Sequence, residues 1–414
     1  MVAFLLVLVV VLAVLGGVHW YVWRRLVRDV TVAGGLPRRL GTVAVVALPL
    51  FSLAALASSR AGAPFWFQQV VAWPGFLWLA LLLYVTLALV VGEAVRPVLR
   101  ARLERRAKAA VAAEVPVPVS VPDAPPAEAA PPVAEAPVDV SRRLFVSRVV
   151  GGSAAAVAVG TVGYGAYGVL RGPRVKRVTV PLAKLARAEH GYRIAVVSDI
   201  HLGPILGRAH SQRIVDAINS TQPDLIAIVG DLVDGTVENL GPAAEPLARL
   251  RARHGSFFVT GNHEYFSGAD AWVDHVRELG LRPLRNERVE IAAGFDLAGV
   301  DDVAGESEGQ GPDFGRALGD RDRARAAVLL AHQPIVIHDA VRNGVDLQLS
   351  GHTHGGQLWP GNYLAELANP TVAGLEKYGD TQLYVSRGAG AWGPPVRVGA
   401  PSDITIVELA SKQA

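Results

Sequence analysis

The chain divides into two halves by the pattern of its apolar positions. Three long apolar runs come first, at residues 1–23, 40–57 and 76–91, and a weaker run follows at 149–170. A run of about 20 residues suits a helix that crosses a membrane, and aromatic residues at its end suit the interface. We therefore predict an all-α region with three transmembrane helices within residues 1–95.

Residues 141–171 admit two interpretations. Arg142 and Arg143 precede an apolar, glycine-rich stretch, which is the order of a twin-arginine export signal. The same order suits an ordinary fourth transmembrane helix with a basic cytoplasmic flank. Both interpretations leave the arginine pair inside and the chain beyond residue 171 outside. Because the segments 24–39 and 96–148 carry most of the Lys and Arg of this half, we predict a multi-pass cell-membrane protein whose last domain is extracytoplasmic.

A segment of different composition separates the third run from the fourth. Residues 96–140 begin with many Arg and continue as Pro, Ala and Val without periodicity. Such a composition cannot bury a core. We predict a basic, then Pro/Ala-rich cytoplasmic linker.

From residue 172 to 414 the pattern changes to short apolar runs separated by stretches of helical character. The strand-like runs are 194–197, 225–229, 257–259, 328–330, 347–349, 382–386 and 404–409, and the helical stretches are 208–219, 245–253 and 272–279. Strands that alternate with helices predict a layered α/β domain. The two late strands predict a second sheet packed on the first.

Composition narrows the chemistry that this domain can perform. The chain has no Cys, which excludes disulfides, thiolate metal sites and Cys nucleophiles and leaves oxygen and nitrogen ligands for a metal. The net charge is only +3, and arginines beside membrane spans account for it. No basic stripe indicates a nucleic-acid partner.

Polar blocks follow five of the strand-like runs. They are Asp199-Ile200-His201, Gly230-Asp231, Gly261-Asn262-His263-Glu264, His332-Gln333-Pro334 and Gly351-His352-Thr353-His354. Ligand sites of α/β sheets gather at the carboxyl ends of strands. Carboxylate, amide and imidazole groups suit Mn, Fe or Zn. In a two-metal centre, one carboxylate and one solvent oxygen bridge the ions. The solvent oxygen loses a proton, and the resulting hydroxide attacks phosphorus.

In this order the blocks resemble the calcineurin-like metallophosphoesterase superfamily, over about residues 190–410. The runs 351–357 and 386–390 resemble its membrane-anchored bacterial branch. The resemblance implies a layered β-sandwich flanked by helices and a centre with two divalent metal ions. It implies that His263 is a catalytic residue that protonates the leaving oxygen or stabilises the transition state. It also implies that seven residues bind metal: Asp199, His201 and His354 on the first ion, Asp231 bridging, and Asn262, His332 and His352 on the second.

The expected function is hydrolysis of a phosphate mono- or diester by a membrane-anchored enzyme, and this location favours a lipid-linked or envelope substrate. One alternative is a nuclease or nucleotide phosphodiesterase. The other is a non-catalytic membrane scaffold with a metal-binding domain, although a scaffold need not retain His263.

Aromatic residues near the blocks also admit two interpretations. Phe266, Trp359, Tyr363 and Trp392 form an apolar rim for a lipid or a base, or they pack in the core and loops. Packing is the interpretation that we favour from the sequence.

Overall fold

The computed structural model describes residues 2–113 and 138–413. They belong to two compact units, and each is treated by itself. The first unit comprises Met1–Leu50 and Leu81–Thr161, and the second comprises Phe51–Ala80 and Val162–Ala414.

Four long helices dominate the first part of the chain. They are α1 Val2–Trp23, which continues as a π-helix over Arg24–Arg28, α2 Leu36–Ser58, α3 Phe65–Ala113 and α4 Val138–Leu170. Within the described residues, these four helices are long and apolar enough to cross a membrane. Their topology and the boundaries of the predicted domains stay predictions.

Helix α3 runs farther than the apolar pattern indicated. It spans 49 residues and continues through the basic residues to Ala113, so 96–113, which we assigned to the linker, is helical. Arg, Leu, Glu and Ala are strong helix formers, and they fill this stretch. The Pro/Ala-rich remainder at 114–137 lies outside the described residues.

The rest of the second unit is an α/β domain whose strands and helices follow one another along the chain. The strands are β1 Arg174–Leu182, β2 Tyr192–Val197, β3 Leu225–Val229, β4 Ser256–Val259, β5 Arg282–Pro283, β6 Glu287–Ile291, β7 Phe295–Gly299, β8 Ala326–Leu330, β9 Leu347–Ser350, β10 Gly374–Tyr378, β11 Thr381–Val385 and β12 Asp403–Ser411. The helices are α5 Arg208–Ser220, α6 Val237–Ala244, α7 Asn262–Ser267, α8 Ala269–Glu278, α9 Phe314–Leu318, α10 Ile337–Arg342 and α11 Gly361–Ala368.

These strands form two six-stranded mixed sheets. The strand order is β1-β12-β2-β3-β4-β5 in one sheet and β10-β11-β9-β8-β7-β6 in the other. Strands β2, β3 and β4 are parallel to one another, as are β7, β8 and β9. Parallel neighbours end at the same edge of a sheet, so the loops that follow them come together.

Three apolar layers hold the domain together. Side chains of both sheets, including Val196 and Leu349, share one buried cluster. Helices α5, α6 and α8 bury their apolar faces on the first sheet, where Trp272 is fully buried. Helices α9 and α10 cover the second sheet. The result is the predicted layered β-sandwich flanked by helices.

One predicted helix has a different form. The stretch 245–253 contains only the 3₁₀-helix Glu245–Arg249, which follows α6 directly. Pro246 has no backbone N–H, so it cannot donate the i→i−4 hydrogen bond that would continue α6 as an α-helix. The proline therefore accounts for the change from α- to 3₁₀-helix at this point.

Candidate metal centre

The predicted ligands gather at one edge of the sandwich. Asp199 and His201 follow β2, Asp231 follows β3, and Asn262 begins α7 directly after β4. On the other sheet, His332 follows β8, and His352 and His354 follow β9. The structure brings all seven residues and His263 to one site, while their binding roles stay predictions.

Their ligand atoms fall into three overlapping groups, each with all atoms within 4.8 Å of one another. The groups are Asp199 with His201 and His354, His201 with Asp231 and His263, and Asp231 with His332 and His352. Because Asp231 belongs to the last two groups, its carboxylate lies between the predicted ion positions. This arrangement fits the predicted bridging role.

On the Asp199 side, the predicted oxygen and nitrogen ligand atoms face one another. The Nε2 of His354 lies 3.4 Å from Oδ1 of Asp199 and 3.0 Å from Nε2 of His201. Nε2 of His201 is also 3.7 Å from Oδ2 of Asp231. Carboxylates and neutral imidazoles arranged in this way fit a divalent cation.

On the other side, one imidazole nitrogen has no hydrogen-bond partner among the residues that the structure describes. Nδ1 of His332 donates to the carbonyl of Val229 at 2.8 Å, which leaves Nε2 as the acceptor of the neutral ring. This Nε2 is buried and without a partner, 3.2 Å from Oδ2 of Asp231. Nearby, Nδ1 of His352 lies 3.0 Å from Oδ1 of Asn262. An orphaned nitrogen beside an amide and a carboxylate oxygen fits a second ion.

One contact of His354 competes with metal binding. The buried guanidinium of Arg397 donates from Nη2 to Nδ1 of His354 at 3.0 Å. Since an arginine can only donate, the neutral ring then carries its own proton on Nε2. An ion at Nε2 therefore requires the proton to move to Nδ1 and Arg397 to withdraw from it.

The ligand-bearing loops have strained backbones. Eight non-glycine residues of the described chain have positive φ, and five are predicted ligands: Asp199, His201, Asp231, His352 and His354. Such conformations cost about 1–3 kcal/mol each and cluster at functional sites. The surrounding packing therefore holds these side chains in orientations that an isolated loop would not adopt.

Two motif glycines permit close approach of the loops. A Cβ on Gly261 would overlap the carboxylate and backbone nitrogen of Asp231, and a Cβ on Gly351 would overlap the carboxylate of Asp199. The backbones pass so near to these carboxylates that only glycine fits.

A residue that the sequence analysis missed connects His201 to His263. Oδ1 of Asp234 lies 2.9 Å from Nδ1 of His201 and 2.7 Å from Nδ1 of His263. Such a carboxylate fixes the tautomer and orientation of each ring. It leaves both Nε2 atoms directed towards Asp231, at 3.7 and 4.0 Å. The spacing Gly230-Asp231-Leu232-Val233-Asp234 was the available signal.

Glu264 joins the loop after β3 to the loop after β4. Its fully buried carboxylate accepts hydrogen bonds from the backbone nitrogens of Asp231, Leu232 and Gly261, at 3.0, 2.8 and 2.6 Å. Burial, together with the charge of Asp231, raises the pKa of Glu264 to about 7. Glu264 thus positions its neighbours.

The carboxylates control the charge of the imidazoles. Burial lowers the pKa of His201, but Asp234, Asp231 and Asp199 outweigh it and raise this pKa to about 9. Burial also lowers the pKa of His332, but the charge of Asp231 outweighs burial and raises this pKa well above its usual value. Divalent cations would supply positive charge in place of these protons, so metal binding releases protons and strengthens as the pH rises.

The imidazoles of the two remaining predicted histidine ligands, His352 and His354, are held neutral. Burial and the charge of His332 lower the pKa of His352 to about 4. Burial, Arg397 and His201 lower the pKa of His354 well below its usual value. Neutral imidazole is the form that binds a metal.

The aromatic residues near the blocks are not packed in the core as expected. Phe266, Trp359, Tyr363 and Trp392 are each at least half exposed. The rings of Phe266 and Trp392 contact that of His263, with centroids 5.6 and 5.8 Å apart. These two residues therefore form an apolar rim beside the metal centre.

Comparison with known proteins points to one family. The family described as "Calcineurin-like phosphoesterase" matches residues 192–356. An uncharacterized metallophosphoesterase of Aquifex aeolicus is 36% identical over 243 residues, which cover 58% of this chain and 92% of that protein.

Two vertebrate relatives carry the name "Transmembrane protein with metallophosphoesterase domain". The one from Danio rerio is 39% identical over 264 residues, covering 61% of this chain and 60% of that protein. The one from Bos taurus is 40% identical over 253 residues, covering 57% of each chain. The chain thus spans less than two thirds of the length of these relatives.

Proposed function

The chain belongs to the calcineurin-like phosphoesterase family, and we propose that it hydrolyses a phosphate ester at a two-metal centre. The observation that carries this proposal is the convergence of Asp231 with the six other predicted oxygen and nitrogen ligands, and Asp231 contributes to two of the three ligand groups. The ions are Mn, Fe or Zn, the metals that this donor set suits.

Two bound cations would supply Lewis acidity towards the phosphoryl oxygens and would lower the pKa of a water molecule. The protein's part is to orient the ester and to move protons. Asp234 holds His263 through Nδ1, so Nε2 of His263 faces the site and donates the proton that the leaving oxygen needs. Asp231, held by the backbone N–H of His263 at 2.9 Å, cannot rotate away from the ions.

We propose that the substrate is a phosphate ester carried by a membrane lipid. A cavity of about 140 Å³ opens beside His201, Asp234 and His263, and residues of the α2–α3 turn line its other side. Leu56, Phe76, Phe266 and Trp392 give it apolar walls. An apolar pocket adjoining the reacting groups fits the tail of such an ester.

One positive charge lies in the same cavity. The guanidinium of Arg60, in the α2–α3 turn, lies 5.8 Å from the centroid of the Phe266 ring. An arginine next to apolar walls recognises a phosphate group while the tail lies against the aromatic rings.

We further propose a multi-pass cell-membrane protein whose metal centre faces the extracytoplasmic side. The basic residues beside the apolar helices support this orientation through the positive-inside rule. Because the chain has no Cys, a Leu367→Cys variant carries a single thiol on the exposed α11. We expect a membrane-impermeant maleimide to label this thiol in intact cells, and protection until lysis would contradict the orientation.

The activity test uses the full chain in detergent, loaded separately with Mn, Fe and Zn. We expect turnover of bis-p-nitrophenyl phosphate or p-nitrophenyl phosphate, and loss of about a thousandfold or more in Asp231→Asn. His263→Ala should lose about 10²–10⁴-fold while it retains both ions. Bound ions without turnover of any ester would favour the scaffold alternative, and a strong preference for oligonucleotides would favour the nuclease.

The lipid assignment has its own test in the same preparation. Leu56→Ser removes an apolar wall of the cavity, and Leu367→Ser makes the same change on exposed α11. For Leu56→Ser we expect the ratio of kcat/KM for phosphatidic acid in mixed micelles to that for p-nitrophenyl phosphate to fall about tenfold. Equal ratios in both variants would contradict the lipid assignment and leave the metal centre unaffected.

A further inference from the structure

A second cavity, far richer in positive charge, lies within the first unit. It has a volume of 720 Å³ and is lined by Arg24, Arg25, Arg28, Arg96, Arg100 and Arg143. The residues come from three elements that are distant in sequence: the π-helix after α1, the basic part of α3 and the start of α4.

The acidic residues of this cavity do not balance its arginines. Asp29, Glu93 and Glu104 also line it, so six arginines face three acids and leave an excess of three positive charges. Arg25 already engages two of the acids, at 3.0 Å from Asp29 and 2.8 Å from Glu93. Like charges gathered in one cavity repel one another unless an anion joins them.

Arg96 is buried in this cavity and, within the described part of the chain, has unpaired hydrogen-bond donors. It is 4% exposed, yet its Nε and Nη2 atoms have no hydrogen-bond partner among the described residues. Its nearest acid is Glu93, with Nη2 to Oε1 at 3.8 Å. The buried Nε atoms of Arg24 and Arg100 are likewise without a partner. Buried donors of this kind are normally satisfied.

The local backbone at Arg24–Arg28 is unusual as well. The backbone N–H of Asp29 donates to the carbonyl of Arg24 at 2.9 Å, five residues earlier, which is the π-helical pattern. Single π-helical turns within helices are frequent at functional sites. Here the π turn carries three of the six arginines of the cavity.

We propose that this arginine cavity binds the phosphate headgroup of an anionic membrane lipid. Phosphate oxygens accept paired hydrogen bonds from guanidinium groups, which satisfies several free donors at once. The arginines directly follow or precede the apolar stretches 1–23, 76–91 and 149–170, which places them at headgroup depth when those stretches span a membrane. Basic pockets between membrane helices bind such headgroups.

The test measures lipid binding to the full chain in phosphatidylcholine nanodiscs by native mass spectrometry after release. We expect phosphatidylglycerol to remain bound in preference to phosphatidylcholine. The double variant Arg96→Gln/Arg100→Gln should weaken phosphatidylglycerol binding about thirtyfold.

The control is Arg105→Gln/Arg106→Gln, which removes the same charge from exposed positions of α3 outside the cavity. We expect a change of less than about threefold in this control. Equal losses in both double variants would indicate general attraction to an anionic surface and would overturn the proposal.

Two further measurements distinguish a lipid from a soluble anion, and a specific loss of binding from misfolding. Inorganic phosphate should not displace the lipid, and displacement at concentrations below that of the lipid would assign the cavity to a soluble anion and overturn the lipid assignment. Arg96→Lys keeps the charge and loses the planar fork, so we expect an intermediate loss of about threefold with an unchanged Tm. Full retention in Arg96→Lys and in the double variant would also overturn the proposal.

Discussion

The metal centre and the arginine cavity both gather ionisable side chains, but of different kinds and on different supports. The metal centre collects carboxylates and imidazoles on loops at the ends of β2, β3, β4, β8 and β9. The arginine cavity collects six guanidinium groups on helices. Loops locked by positive φ hold ligand atoms within 4.8 Å of one another, which suits metal coordination. Long arginine side chains can follow an anion of variable shape.

The comparison also shows how a protein holds unfavourable charge in two ways. At the metal centre, Asp234 and Glu264 hold the imidazoles and loops in place through hydrogen bonds. In the arginine cavity, Arg25 is paired with Asp29 and Glu93, whereas Arg96 retains free donors. The first site is organised before its ligand arrives, and the second completes its hydrogen bonds with the ligand.

The largest effect on metal affinity, short of removing a metal ligand, is expected from Asp234→Asn. Loss of a carboxylate behind a metal-binding imidazole costs about 10–100-fold in metal affinity or activity. Because Asp234 helps to raise the pKa of His201 to about 9, protons compete with metal up to that pH in the native chain. In Asp234→Asn the rise of metal affinity with pH should end at a lower pH.

The measurement is metal affinity by competition with a chelator between pH 6 and 9.5, at roughly half-unit steps. Asp216→Asn, an exposed change on α5, is the control and should leave both affinity and profile unchanged. An unshifted profile in Asp234→Asn would contradict the role of Asp234.

The pKa of His210 shows the effect of burial on a histidine, without the opposing effect that carboxylates have on the pKa of His201. His210 is 1% exposed, and burial, with the charges of Arg213 and Arg397, lowers its pKa to about 3. A folded-state pKa below the unfolded value of about 6.5 means that stability is present above pH 6.5 and is lost as the pH falls. Between pH 6.5 and 5 the loss should reach about 2 kcal/mol.

His210→Leu should remove this part of the acid sensitivity. The measurement is the Tm of the native chain and of the variant from pH 7.5 to 5, and their difference isolates His210 because the other groups titrate in both. Parallel curves would show that His210 takes up a proton without cost and would contradict the burial argument.

The smallest expected effect concerns the arginine cavity. The carboxylate of Glu93 accepts from Tyr21 at 2.9 Å and from Arg25 at 2.8 Å, and it lies near Arg96. Glu93→Gln removes one negative charge from the cavity, so phosphatidylglycerol affinity should rise about fivefold. Glu278→Gln, an exposed change on α8, is the control. A fall in affinity after Glu93→Gln would indicate that Glu93 orients the arginines for the lipid.

Much of the sandwich was predictable because its strands are short apolar runs with polar ends. The run 225–229 coincides with β3, and 257–259 lies within β4. Strands with exposed residues were harder to recognise. The edge strand β1 alternates weakly, with five exposed positions, and its pairing partner β12 lies more than 200 residues away. Nothing local in the sequence indicates such a pairing.

The predicted ligands of the metal centre were easier to recognise in the sequence than the residues that position them. The polar blocks contain the seven predicted ligands and His263, which lie together in the structure because each block directly follows a strand. Asp234 and Arg397 were missed, since their roles depend on which rings they face across the fold. The arginines of the first unit were read only as a topology signal, because helix composition does not reveal that three elements converge on one cavity.

The most direct test of the central claim is the metal content of the full chain, measured by inductively coupled plasma mass spectrometry after loading with Mn, Fe or Zn. We expect two ions per native chain and at most one in Asp231→Asn, because Asp231 belongs to two of the three ligand groups. Two ions in both proteins would contradict the bridging role of Asp231. No bound ion in the native chain would contradict the metal centre itself.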